Sequence, residues 1–125
     1  MEEKKCQYVV VRYVPDEIRQ EFVNIGIIMI DMESEKMYYK VCHNFKELRK
    51  RTVSVNVSLI KEFLSFLERS KFFKLKFLGE ISKFFSHQIQ FSEVMGSLYN
   101  NPEEELEKLY TRFVSLGEKP TVKRR

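Results

Sequence analysis

Two apolar runs joined by a short polar loop leave this chain little freedom in how it can fold. Residues 8–29, YVVVRYVPDEIRQEFVNIGIIM, are β-branched and aromatic on either side of a Pro-Asp break. Segments of that composition bury best as paired strands. Each run carries a polar residue in its apolar stretch, Arg12 in the first and Asn24 in the second. Polar groups inside a buried sheet need partners or a purpose, so a candidate site is expected here first.

The rest of the chain can be read outward from that hairpin. Residues 7–14 form the first strand, stopped by Pro15-Asp16 because proline cannot donate to a ladder. Residues 16–20 allow one short helical turn capped by Asp16. Residues 22–30 form a second strand, apolar on both faces apart from Asn24 and Gly26, and residues 31–36 a polar turn. A third strand at 37–42 completes an antiparallel meander. A short helix is expected at 45–50. A longer one, capped by Asn56 or Ser58, runs to about Ser70 with Leu59, Ile60, Phe63, Leu64 and Leu67 on one stripe. Residues 71–85, KFFKLKFLGEISKFF, fit a strand or a helix, with Gly79 as an interruption. Residues 88–92 alternate as a strand. The last helix has Asn101 as its cap, Pro102 in first position, and Glu103, Glu104 and Glu105 at the positive end of the dipole. Its apolar face is Leu106, Leu109, Tyr110, Phe113 and Val114, and Gly117 ends it.

The expected fold is α+β, an antiparallel sheet of three to five strands with two main helices packed on one face. At 125 residues, with no repeat or linker, the chain reads as one domain over 1–117 followed by a disordered basic tail at 118–125. There is no apolar run long enough to span a membrane and no secretory leader, so a cytoplasmic protein is expected. Cys6 and Cys42 then read as reduced thiols. Net charge is +4, but Lys119, Lys123, Arg124 and Arg125 against Glu118 place most of it in the tail. The nearly balanced body weakens a whole-surface case for nucleic acid, although Lys46, Arg49, Lys50 and Arg51, and then Arg69, Lys71, Lys74 and Lys76, form local basic clusters.

Strand alternation puts Arg12 on a face with Tyr8 and Val10, and Asn24 on a face with Phe22, Gly26 and Ile28. With Val14 opposite Phe22, Arg12 lies opposite Asn24, a register that a slip of one residue would destroy. Gly26 would open room for a ligand or a close backbone approach. The loop adds Asp16, Arg19 and Glu21 to one polar end. That cluster reads either as an anion- or peptide-binding pocket, with Arg12 as a forked donor to an acidic or phosphorylated group, or as a network in which Glu21 or Asp16 pairs with Arg12 and pins the loop.

Other chemistry finds less support. Cys6, Cys42, His43 and His87 show no Cys-x-x-Cys or His-x₃-His spacing, so no metal and no cofactor is expected. Ser86 adjoins His87 without a nucleophile elbow, and the four glycines make no phosphate loop. Pro15-Asp16 invites comparison with metal-dependent nucleases, but Glu33-Ser34-Glu35-Lys36 does not follow at their spacing. No catalytic residue is assigned. The Lys/Phe stretch 69–85 reads as a core element whose lysines reach water, in preference to a stacking platform for single-stranded nucleic acid.

The opening YVVVRYVPDEIRQEFVNIGII resembles that of a family of small, mostly bacterial proteins of unknown function. Their pattern is an aromatic strand, Arg-Tyr-x-Pro-Asp, then Glu-Phe-x-Asn-x-Gly. The stretch IQFSEVMGSLYNNPEEELEKLYTRFV looks like that family's ending. Matching positions are Arg12, Tyr13, Pro15, Asp16, Arg19, Glu21, Phe22, Asn24, Gly26, Ser92 and Gly96. Of these, Arg12, Asp16, Arg19, Glu21, Asn24 and Ser92 are the candidate binding residues, and Tyr13, Pro15, Phe22, Gly26 and Gly96 the motif that shapes them. Members are often encoded beside a persistence-toxin-type (HipA-like) serine/threonine kinase. The resemblance therefore implies a toxin–antitoxin-associated protein with such a kinase as its partner. The expected function is a non-catalytic binding or regulatory module; the alternatives are an enzyme acting on a nucleotide or nucleic acid, with Asp16 and Glu21 as acid/base or metal ligands, and a nucleic-acid-binding accessory protein.

Overall fold

The computed structural model describes residues 3–16, 21–52, 54–69 and 73–115, with the side chain of Asp16 outside that description. Among the described residues, five strands form one antiparallel sheet: β1 (Lys4–Asp16), β2 (Glu21–Asp31), β3 (Met37–Val41), β4 (Ile89–Phe91) and β5 (Met95–Tyr99). The four α-helices among them are α1 (Phe45–Leu48), α2 (Val57–Arg69), α3 (Leu78–Phe84) and α4 (Pro102–Tyr110). None is long and apolar enough to cross a membrane.

The α+β class and the antiparallel meander β1–β2–β3 are as the sequence indicates. The helices, however, lie on opposite faces of the sheet, not on one. On the first face Val9, Val11, Tyr13, Ile25 and Ile28 pack with Leu48 of α1, Ile60, Phe63 and Leu67 of α2, and Phe85 at the end of α3. On the second, Tyr8, Val10, Ile27 and Met29 pack with Leu109 of α4, flanked by Leu106, Tyr110 and Phe113. The reason is visible in β1 and β2: their apolar runs are continuous, and a strand apolar on both faces must be covered on both. Each large side chain so buried contributes roughly 1.5–3 kcal/mol. Phe63 adds an edge-on contact to Phe85 at 5.3 Å between ring centroids.

β1 is the centre of the sheet and longer than its sequence suggests. It pairs with β2 along one edge and shares the other between β5, against Lys4–Tyr8, and β4, against Val11–Tyr13. Pro15 does not end the strand. It sits in a register shift between Tyr13 and the Asp16–Glu21 pair, an irregularity of the kind that tolerates a missing donor. The helical turn expected at 16–20 lies outside the described residues from 17 onward, while Asp16 itself is strand. β5 has no counterpart in the sequence reading: MGSLY is short and half exposed, and only its pairing with the start of β1 makes it a strand.

Residues 75–84 are helical, resolving the ambiguity of the Lys/Phe stretch: a 3₁₀ turn at Leu75–Phe77 leads into α3, whose first turn contains Gly79. Asn56 is the cap of α2. Its Oδ1 accepts from Leu59 N at 3.1 Å, and its own N–H donates to the hydroxyl of the buried Tyr13 at 2.7 Å. Asn101 caps α4 through Glu104 N at 3.0 Å, with Pro102 in first position as expected. α4 gives way to a π-helical turn at Thr111–Ser115. Arg51 donates to Val114 O at 3.3 Å, so one member of the first basic cluster is engaged with the backbone. Gly117 and the tail 118–125 lie outside the described residues.

Candidate binding site

Arg12 and Asn24 are directly opposed across β1 and β2. The register between them contains an interruption: Val11 pairs with Gly26, and the next pair is Arg12 with Asn24, so Ile25 is an extra residue on β2. This β-bulge corrects the face assignment. Simple alternation groups Asn24 with Gly26 and Ile28, but Ile25 and Ile28 both lie in the first core and Ile27 in the second. The bulge therefore moves Asn24 to the second face, beside Arg12, Tyr8 and Val10. It also explains Gly26. A Cβ there would stand 2.7 Å from Lys40 O and 2.8 Å from Val41 Cγ2. The glycine admits the backbone of β3, which bonds at Cys42 N to Ile25 O at 2.6 Å, and opens no ligand space beside Asn24.

On the second face the Arg12 guanidinium lies over the ring of Phe22, 4.6 Å from its centroid, a cation–π arrangement that holds its plane. Burial pushes the Arg12 pKa below its ordinary value, and the carboxylate of Glu93 opposes that shift. Asn24 is 3% exposed, and its Nδ2 donates to the carbonyl of Phe113 at 2.9 Å. A carbonyl only accepts, so this bond sets which way the amide is turned. The consequence is a pair of unpaired groups. Asn24 Oδ1 and Arg12 Nε are both buried and have no hydrogen-bond partner among the described residues. A buried polar atom left unpaired costs about 1–3 kcal/mol, and here a donor and an acceptor are left so on facing residues.

The remaining members of the expected cluster divide. Asp16 and Glu21 are paired at the end of the same hairpin. Arg19 lies outside the described residues. Ser92 is buried at a joint in the sheet: its hydroxyl accepts from Val10 N at 2.8 Å and donates to Glu93 O at 2.9 Å, while its own N–H donates to Val10 O at 2.9 Å. It closes the gap between β4 and β5 on the edge of β1. Gly96 pairs with Gln7, at the other end of β1 from Arg12. Tyr13 faces the first core, and the Pro15 carbonyl accepts from Gln88 Nε2 at 3.5 Å.

Two contributors carried no readable signal, the Phe113 carbonyl and Glu93, because both reach the site only through tertiary packing. A second buried acid, Asp31, appeared in the sequence only as the start of a turn. It is 4% exposed. Its Oδ2 accepts from Glu33 N at 3.1 Å and Ser34 N at 2.7 Å, and its Oδ1 from the hydroxyl of Tyr99. The Ser34 N–H, then the Tyr99 hydroxyl, lower its pKa from 3.8 to about 2. Nearby Cys6 is pushed up to about 11, first by burial and then by Glu105 and Asp31. Cys6 and Cys42 are both free thiols. Asp31 is fully engaged and pins the β2–β3 turn to β5. Among the described residues no three His, Cys, Asp or Glu side chains gather as a metal site. In the Lys/Phe stretch, Phe73 and Phe85 are buried, while Phe77 and Phe84 are exposed.

These features define a small α+β domain with helices on both faces of one antiparallel sheet and a buried, unpaired polar pair on the second face. Residues 8–114 match the family described as protein of unknown function (DUF3037), and the chain belongs to that family. No curated protein and no solved structure matches it.

Proposed function

We propose that this protein is a non-catalytic binding module that engages another protein through the polar end of the β1–β2 hairpin. The observation that carries this reading is the buried, unpaired donor and acceptor on Arg12 and Asn24. A buried donor and acceptor left unpaired on facing residues cost stability, and the expense is of the kind a fold retains where a residue serves another purpose. Arg12 is the contact, with its plane held by Phe22 and its charge offset by Glu93. Asn24 positions the bound group, itself oriented by Phe113. The first partner to test is a HipA-like serine/threonine kinase, which the family resemblance implies.

The test is binding of the purified kinase to the wild type and to Arg12→Ala/Asn24→Ala, after circular dichroism confirms that both fold. Loss of binding in the variant supports the reading. Equal binding by both moves the interface elsewhere and leaves Arg12 and Asn24 as structural residues. If no kinase binds, affinity capture from the host decides: a partner held by the wild type and lost by the variant keeps the module reading without the kinase, and no such partner ends it.

A further inference from the structure

We infer that a cavity on the other face of the sheet from Arg12 binds a small amphipathic carboxylate, an apolar body carrying a single acidic head. This goes beyond the binding-module reading and does not depend on it.

The cavity exists because the helices cover the first face only in part. Lys5 and Gln7 of β1 lie on that face, in alternation with Val9 and Val11. Their partners in β5 are Leu98 and Gly96, and Leu98 is 53% exposed. A Cβ at Gly96 would meet nothing nearer than Cys6 O at 3.8 Å, so no side chain packs on the sheet there. The chain from Phe73 to Lys76 closes the other side. Phe73 is buried in the first core, its ring 6.5 Å from that of Phe66, and Leu75 begins the 3₁₀ turn. Between this segment and Gln7, Ile30 and Met32 lies a cavity of about 290 Å³, near the lower end of the roughly 300–1,000 Å³ of ligand sites.

The lining specifies the ligand. Ile30, Met32, Phe73 and Leu75 supply its apolar part, and four charged residues complete it. Three of those are already engaged. Asp31 accepts from Glu33 N, Ser34 N and the Tyr99 hydroxyl. Lys74 Nζ lies 3.7 Å from Glu35 Oε1. Glu35 holds its place with φ 63°, a left-handed conformation that residues other than glycine seldom adopt. The fourth, Lys76, is exposed and has no ion pair among the described residues. Its ammonium lies 5.3 Å from the centre of the Phe77 ring, a contact its flexible stem can exchange for an anion. One positive charge is therefore uncompensated, which suits a monoanion. A dianion such as a phosphate ester would set its second charge against Glu35, and a cation finds no free carboxylate. Size sets the body. At about 30 Å³ for each non-hydrogen atom, the cavity holds about ten of them, the size of octanoate.

The experiment titrates the isotope-labelled full chain with octanoate, octanol, octylammonium and acetate at matched ionic strength. Nuclear magnetic resonance follows the methyl groups of Ile30, Met32 and Leu75. The expected result is a saturable shift of all three with octanoate, at a dissociation constant of about a few millimolar, the affinity of so small a ligand at ordinary efficiency. Octanol should bind about threefold more weakly, the ratio that one exposed ion pair supplies. Octylammonium should bind more weakly still, and acetate, with no body, not measurably. Lys76→Glu should reverse the order of octanoate and octylammonium, and Lys76→Gln should bring octanoate level with octanol. Circular dichroism confirms that each variant folds; should Lys76→Glu not fold, Lys76→Gln decides. Octanoate that leaves the three methyls unmoved, or that moves the exposed Val94 and Phe84 equally, overturns the inference. Equal binding of octanoate, octanol and octylammonium does so too, because the cavity would then take any apolar body. So does a Lys76→Gln protein that keeps the threefold preference for octanoate. Arg12 and Asn24 lie on the other face, so none of these outcomes bears on the binding of a protein partner.

Discussion

Alanine at Gly26 and alanine at Gly79 are the same chemical change, yet the structure requires opposite outcomes. At Gly26 the new Cβ would meet Lys40 O at 2.7 Å, Val41 Cγ2 at 2.8 Å and Val41 Cα at 3.0 Å. Ordinary contact begins at 3.4 Å, so β3 must retreat by about 0.7 Å. Overpacking of that kind costs about 1–3 kcal/mol, and the retreat also weakens the bond from Cys42 N to Ile25 O, worth about 0.5–1.5 kcal/mol. Against this stands a gain of about 0.4–1 kcal/mol from the stiffer unfolded chain. The net expectation for Gly26→Ala is a loss of about 2 kcal/mol. At Gly79 nothing lies within 4 Å of the added carbon, and the residue sits in α3 without a positive φ. Only the favourable terms remain, so Gly79→Ala should gain about 0.5–1 kcal/mol. Urea unfolding followed by circular dichroism reads both. With a slope of about 1–3 kcal/mol per molar urea, the midpoint should fall by about 0.7–2 M for Gly26→Ala and rise by about 0.2–1 M for Gly79→Ala. A Gly26→Ala protein as stable as the wild type, with an unchanged slope, would refute the close-approach account and return Gly26 to the role of making room beside Asn24.

Three further outcomes follow from particular bonds. Asp31 holds its carboxyl at about 2 against an ordinary 3.8, a depression worth about 2 kcal/mol. A carboxyl depressed in the folded state contributes above its unfolded pKa and loses that contribution as pH falls through the folded one. Asp31→Asn should therefore be less stable than the wild type by about 2 kcal/mol at pH 6, with the gap closing between about pH 4 and pH 2; a gap independent of pH sinks the assignment. Ser92→Ala leaves Val10 N without its acceptor, so it should lose about 1–3 kcal/mol and speed hydrogen exchange at that amide while sparing partner binding. Exchange at Val10 unchanged from wild type would show that Ser92 is not the joint of the β1 edge. Tyr13→Phe removes the hydroxyl that accepts from Asn56 N and should destabilise by about 1–3 kcal/mol in the same urea assay; an unchanged midpoint would show that α2 does not depend on this tie.

Local chemistry was the part most open to reading. Continuous β-branched runs marked β1 and β2 as strands, a stripe of Leu59, Ile60, Phe63, Leu64 and Leu67 marked α2, and Asn101-Pro102 marked the start of α4. The pairing of Arg12 with Asn24 was also legible, since register follows from two apolar runs and the loop between them. Less legible was anything that needed a second segment to define it. β5 is a strand only because the extended start of β1 lies beside it. Residues 75–84 became helical against a pattern that allowed either state. Tertiary packing placed α2 and α4 on opposite faces, although the two-sided apolar runs already contained the reason.

What the sequence determined by itself, then, was the set of elements, because strand and helix formation are governed by composition and period within a few neighbouring residues. It also marked Arg12 and Asn24 as polar groups in apolar strands. Only the tertiary structure decided what those two residues face. The bulge at Ile25 turned Asn24 onto the second face, and the Phe113 carbonyl, 89 residues away in the chain, oriented its amide. Glu93 came to rest within electrostatic reach of Arg12. A bulge is one extra residue that alternation cannot announce, and a backbone carbonyl is the same atom in every residue type. Neither leaves a mark in composition, and together they leave a donor and an acceptor buried and unpaired on one face of the sheet.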